Sequence, residues 1–110
     1  MRYTIPRTDL LQDSIVVAPT DTLPIVPQRM LGRWVTGGSI RPDGKEAVIR
    51  TYTEIYFFSI EGDRWTLEGP ACFLGPREPQ GEAVDYLDDG SLILTSEKSN
   101  GEPTIFRARC

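Results

Sequence analysis

The sequence predicts an all-β chain built from small antiparallel sheets stacked against one another. Three observations carry this. Ile40-Arg41-Pro42-Asp43-Gly44 returns about 46 positions later as Tyr86-Leu87-Asp88-Asp89-Gly90, each time between two β-type runs. Self-similarity at that period marks stacked repeats, because one small twisted sheet cannot bury its own faces and needs a neighbour. Nine Pro and ten Gly are spread along the 110 residues instead of clustered, which suits many short strands with tight turns. The composition, 39% hydrophobic and 25% charged, is that of a globular chain with one domain as its ceiling. The fold class that follows is a partial β-propeller: about two four-stranded antiparallel blades plus strands of a third.

Residues 1–32 are expected to supply outer strands of a preceding blade and a connection. Arg2–Pro6 reads as a short strand and Asp13–Ala18 as a second, with a polar loop at Thr8-Asp9 between them. Pro19–Pro27 carries three prolines, so it is expected to cross between blades or to pair only at a sheet edge. The full blade occupies 33–69. It opens near Arg33 with Trp34–Arg41, turns at Pro42-Asp43-Gly44-Lys45 and returns over Lys45–Thr51. Pro-Asp-Gly-Lys suits a type I turn followed by Gly at positive φ. Glu54–Ile60 is the third strand, Glu61-Gly62-Asp63-Arg64 its turn, and Trp65–Leu67 the fourth. Pro70–Pro79, with three prolines, is the next crossing. The last blade, 80–110, has strands at Gln80–Leu87, Ser91–Glu97 and Pro103–Arg109, a turn at Asp88-Asp89-Gly90 and a polar loop at Lys98–Glu102. It lacks a fourth strand.

Propellers close with about four to eight blades, so a partial ring leaves two apolar blade faces to be covered. The expected cover is self-association, for instance a trimer of about six blades, or another propeller segment.

Charge and residue types exclude several functions. Net charge is −4, from 12 Lys plus Arg against 16 Asp plus Glu, and no basic run exceeds two residues, so nucleic acid is not an expected partner. No apolar stretch approaches the roughly 18 residues of a membrane span, and residues 1–20 lack a secretion-signal pattern. The cytoplasm is the default location, with export if the chain is part of an exported propeller. Histidine is absent, which excludes Ser-His-Asp and Cys-His catalysis and imidazole-bound metals within one chain. Cys72 and Cys110 are expected as a half-buried thiol and a free terminal one; a disulfide between them is the alternative, and nothing in the spacing supports it.

The inner strands of propeller blades line a central channel whose mouth gathers polar strand ends. Thr36, Gly37 and Glu82 are placed there from the first strands, and Arg50, Tyr52 and Glu97 from the ends of the second. Two carboxylates with backbone carbonyls suit a hard cation such as calcium, which takes six to eight oxygens, so other blades would have to contribute. The alternative is that Glu82 and Glu97 satisfy backbone donors or pair with Arg50. Asp43 and Asp89 stand before Gly and read as turn formers. Tyr56, Phe57 and Phe58 read as core, and Trp34 and Trp65 as flanks of blade interfaces.

Val35–Gly44 and Gln80-Gly81-Glu82-Ala83-Val84 resemble bacterial β-propellers of the TolB-like and phytase-like or esterase-like kind. Gln-Gly-Glu-Ala followed by Leu94-Thr95-Ser96-Glu97 looks like the Glu-Gly to Ser-Glu pairing of phytase-like propellers. The resemblance covers roughly residues 33–109 and implies either a calcium-dependent phosphoesterase or a propeller with another role. The residues themselves favour a non-catalytic binding or assembly module of unknown ligand. The remaining reading is a fragment of a longer propeller with no independent activity.

Overall fold

The computed structural model describes residues 1–26, 34–74, 81–97 and 103–110. Its strands form three separate antiparallel sheets. A two-stranded ribbon pairs β1 (Arg2–Tyr3) with β2 (Pro19–Asp21). A four-stranded sheet runs in chain order through β3 (Val35–Ile40), β4 (Glu46–Thr51), β5 (Glu54–Glu61) and β6 (Arg64–Phe73). A three-stranded sheet follows with β7 (Gly81–Tyr86), β8 (Leu92–Ser96) and β9 (Thr104–Ala108). The all-β class is as expected, and none of the sheets closes on itself.

The repeated turns are chemically alike. Gly44 and Gly90 take φ of 73° and 83°, a region open to Gly at little steric cost, and their amides bond back to the carbonyls of Arg41 (2.7 Å) and Leu87 (2.9 Å). The preceding aspartates cap the same turns: Asp43 accepts from the Lys45 amide at 2.9 Å and Asp89 from the Ser91 amide at 3.0 Å. Their role as turn formers is therefore met. The second connection is one residue shorter, since Ile40 pairs with Ala47 but Tyr86 with Leu92. Structural equivalence across the repeat thus matches Ala47 to Leu92.

Residues paired across antiparallel strands share a face. Val48 with Phe57 and Arg50 with Ile55 therefore define one face of the four-stranded sheet. Val84 with Leu94 and Leu92 with Ala108 define one face of the other. These two faces meet: Val48, Ile55, Val84, Leu92 and Leu94 form a common buried cluster, with Phe57, Tyr86 and Phe106 packed against it. Burial of five such aliphatic side chains is worth roughly 8–15 kcal/mol before chain entropy is subtracted, so the two sheets share one core. Thr36 touches Gly81, Gly37 meets Glu82, and Ser39 reaches Asp85, so β3 and β7 run side by side in the same direction.

The opposite face of the four-stranded sheet holds Ala47 (0% exposed), Tyr56 (4%) and Phe58 (0%), and the N-terminal residues cover its outer part. Arg2 lies over the Trp65 ring at 5.1 Å and makes a two-pronged ion pair with Asp21 at 2.9 and 3.0 Å. Trp65 in turn tilts against Phe58, with centroids 6.1 Å apart. Towards β3 the same face is open, and Ile40 is 53% exposed.

Several expectations need correction. Asp13–Ala18 is not a strand; Val16 and Val17 are exposed, and the partner of β1 is Pro19–Asp21, inside the segment read as a crossing. Thr8-Asp9 sits in a short 3-10 helix, Arg7–Leu11, where a loop was expected. The fourth strand does not stop at Leu67 but continues through Pro70 to Phe73. Proline is tolerated there because β6 is an edge strand and the chain bulges, with Phe57 facing Glu68 but Ile55 facing Cys72. The rest of that crossing, and the loop Lys98–Glu102, lie outside the described residues. Finally, Cys72 and Cys110 are not free thiols. They form a disulfide with Cα atoms 6.0 Å apart, because the extended β6 carries Cys72 to the edge where the chain leaves β9.

Candidate functional site

The six residues predicted for a channel mouth gather at one end of the paired strands β3 and β7. Thr36 and Gly37 lie in β3, Arg50 near the end of β4, Tyr52 just beyond it, Glu82 in β7 and Glu97 immediately after β8. Ser96 pairs with Gly81, which puts Glu97 at the same end of its sheet as Glu82.

The centre of this arrangement is Arg50, which is 0% exposed. Its guanidinium donates to the carbonyl of Ala83 at 3.0 Å, to that of Thr95 at 3.5 Å and, through Nε, to that of Thr51 at 3.2 Å. Planar, multi-donor geometry lets one side chain bind carbonyls of two sheets. Two glycines make room. A Cβ on Gly81 would fall 1.7 Å from Nη2 of Arg50, and one on Gly37 would fall 2.8 Å from the carbonyl oxygen of Glu82. Both sites exclude side chains for want of space, not for backbone reasons. Thr36 completes the seam by donating to the Gly81 carbonyl at 2.7 Å.

Above Arg50 lies an aromatic and acidic rim. The Tyr52 hydroxyl donates to Oε1 of Glu82 at 3.4 Å, and Trp34, 59% exposed, meets the Tyr52 ring edge-on at 5.9 Å. The Tyr52 phenol is raised above its ordinary value, chiefly by the charge of Glu82, then by burial and the hydrogen bond to Glu82, and last by the charge of Glu97. A negative neighbour disfavours the phenolate. Converting Glu82 and Glu97 to Gln together is therefore expected to move the alkaline titration of Tyr52 down towards an ordinary tyrosine. Ultraviolet absorbance at rising pH, read against a Tyr52→Phe control, checks this; an unmoved titration would mean that the two acids do not converge on the phenol.

As a calcium site the set is incomplete. Two carboxylates fall short of six to eight oxygens, Glu82 is already engaged by Tyr52, and among the described residues no group of three or more potential acidic, Cys or His ligands occurs. Ser91 donates to Asp89 at 2.5 Å and accepts from Nε of Arg107 at 3.0 Å, which holds it within the turn. No helix among the described residues is long and apolar enough to cross a membrane.

Sequence reasoning missed two features. Gly81 and Trp34 belong to the same end of the molecule; Gly81 pairs with Ser96 and meets Arg50 only across the sheets, so no local pattern marked it. A second buried polar pair joins Tyr56 to Glu54, which is 2% exposed. Burial first, then this hydrogen bond, pushes the Tyr56 phenol up to about 12. Glu-x-Tyr on one strand places both on one face, so that pair was readable. A cleft of about 300 Å³ lies beside the disulfide, lined among others by Cys72, Leu74, Leu94, Phe106 and Cys110.

In comparisons with family models, curated proteins and solved structures, nothing matches this chain, so the meaning of the site rests on its own geometry.

Proposed function

We propose that the chain is a non-catalytic assembly and binding module made of two propeller-type blades with strands of a third, resembling TolB-like and phytase-like propellers. The single observation that carries this reading is the uneven covering of the four-stranded sheet. One of its faces is sealed by the three-stranded sheet. The other is covered from β4 to β6, with Ala47, Tyr56 and Phe58 buried and Arg2 stacked on Trp65, and leaves only β3 open, with Val35 at 57% and Ile40 at 53% exposure. Apolar surface of this kind, on strands that already bury their other side, marks an interaction face. The side-by-side, same-direction course of β3 and β7 further supports blades over a sandwich of opposed hairpins. Arg50 belongs to this reading as the internal clamp between blades, and the rim of Trp34, Tyr52, Glu82 and Glu97 as the surface offered at its mouth. The phosphoesterase reading would need oxygen donors beyond these two carboxylates and is not carried further.

The test is mass in solution by light scattering at increasing concentration. Assembly into a species of more than one chain, or into a defined complex with another protein, is expected. A chain that stays folded, stable and monomeric and engages no partner would overturn the proposal.

A further inference from the structure

We infer that the rim of Trp34, Tyr52, Glu82 and Glu97 is a binding site for a guanidinium group, the side chain of an arginine on a partner polypeptide. The site deepens the binding reading above, on which it rests, by naming the group that it takes.

Two of the four residues form aromatic walls. Trp34 immediately precedes β3, Tyr52 immediately follows β4, and Val35 pairs with Thr51 between them, so the two rings are neighbours across the strand ends. They stand at 90° with centroids 5.9 Å apart. Rings at right angles make two sides of a corner, and Trp34, at 59% exposure, leaves much of its aromatic surface to solvent.

The other two supply negative charge. The Tyr52 hydroxyl donates to Oε1 of Glu82 at 3.4 Å, which sets that carboxylate at the polar end of the Tyr52 wall. Glu97 follows Ser96, whose partner is Gly81, the residue before Glu82, and its charge is felt at the Tyr52 phenol. Among the described residues neither carboxylate is held in a salt bridge. Arg50 lies beneath, with its guanidinium given to the carbonyls of Thr51, Ala83 and Thr95.

A cation answers both features, because the face of an aromatic ring attracts it and carboxylates pair with it. Shape selects the kind of cation. A guanidinium is flat, so it lies on an indole while the N–H groups along its edge donate to carboxylate oxygens; an ammonium is a compact, strongly hydrated point charge that cannot stack. The molecule makes this contact once already. Arg2 lies over the Trp65 ring at 5.1 Å and donates to both oxygens of Asp21 at 2.9 and 3.0 Å. Trp34 repeats the indole and Glu82 and Glu97 the acid, and among the described residues no arginine stacks there.

The test adds N-acetyl-arginine amide to the whole chain and follows binding on the small molecule by saturation-transfer nuclear magnetic resonance. N-acetyl-lysine amide and the uncharged isostere N-acetyl-citrulline amide are the comparisons. Saturable binding of the arginine compound is expected, with lysine weaker by about threefold or more and citrulline not bound. Trp34→Ala and Glu97→Gln, both at exposed positions, should weaken arginine by about tenfold and about threefold, with near-ultraviolet circular dichroism to confirm that tertiary packing is kept. No binding of the arginine compound, equal binding of lysine, or binding that survives Trp34→Ala would overturn the site. Light scattering of the same samples reports assembly separately, so those results leave the assembly reading standing.

Discussion

Reducing the Cys72–Cys110 disulfide is expected to lower the unfolding free energy by about 4 kcal/mol, from the loop-closure entropy returned to the unfolded chain. The two cysteines are 38 residues apart, and the constraint grows with the logarithm of that separation. The loss is large against the roughly 5–15 kcal/mol that holds a small domain together. Its location adds to the effect. Cys72 belongs to the edge strand of one sheet and Cys110 follows the edge strand of the other, so the bond pins the far side of the interface from the Arg50 clamp. Cys72 also packs against the shared core, and its release loosens Leu74 and Phe106 around the cleft they line. Urea unfolding with and without a thiol reductant measures the difference, and Cys110→Ser should reproduce the reduced curve without any reductant. A change of less than about 1 kcal/mol would show that the closed loop does not contribute as the entropy estimate requires. Because such bonds persist where thiols are oxidised, full stability is expected only for protein folded under oxidising conditions.

Arg50→Ala is expected to cost about 4 kcal/mol, since it strips a donor from three carbonyls and leaves a cavity between the sheets. The carbonyls of Thr51, Ala83 and Thr95 all receive its guanidinium. Arg50→Lys should recover less than half, because a single ammonium cannot fan out to carbonyls on two sheets. The same region yields a sharper check. Gly81→Ala alone should destabilise by about 1–3 kcal/mol through overpacking, as its methyl would collide with Nη2 of Arg50. In the Arg50→Ala background that collision has no target, so the double variant should be more stable than the sum of the two losses by about 1–2 kcal/mol. Strict additivity would mean that Gly81 is required for some reason other than making room for Arg50.

What could be read along the chain follows from what is local. Strands β3, β4, β5 and β7–β9 fall within a residue or two of their expected spans, because each pairs with its sequence neighbour through a short turn. Asp43-Gly44 and Asp89-Gly90 carry those turns in side chains that bond their own backbone. Thr36, Gly37, Arg50, Tyr52, Glu82 and Glu97 lie at one end of the paired strands for a related reason: equivalent positions of the repeat sit side by side, as Ser39 and Asp85 do at 2.6 Å. The failures are all long-range. Asp13–Ala18 has a strand-like composition, but a strand needs a partner and the ribbon formed with Pro19–Asp21 instead. Pro70 looked like a breaker and is harmless, since an edge strand has one unpaired side and the bulge at Gly69 absorbs the ring. Cys72 and Cys110 carry no mark of each other.

Read along the chain, the residues suffice for the all-β class, its repeated hairpins and the spans of β3–β5 and β7–β9, since these depend on side-chain period and turn chemistry within a few residues. That Arg50 is sealed between the stacked sheets against Gly81, and that a disulfide ties their outer edges, emerged only from the packing. Those outcomes depend on which faces meet once the sheets stack, and contact between residues more than thirty positions apart is a property of that packing, which no local pattern records.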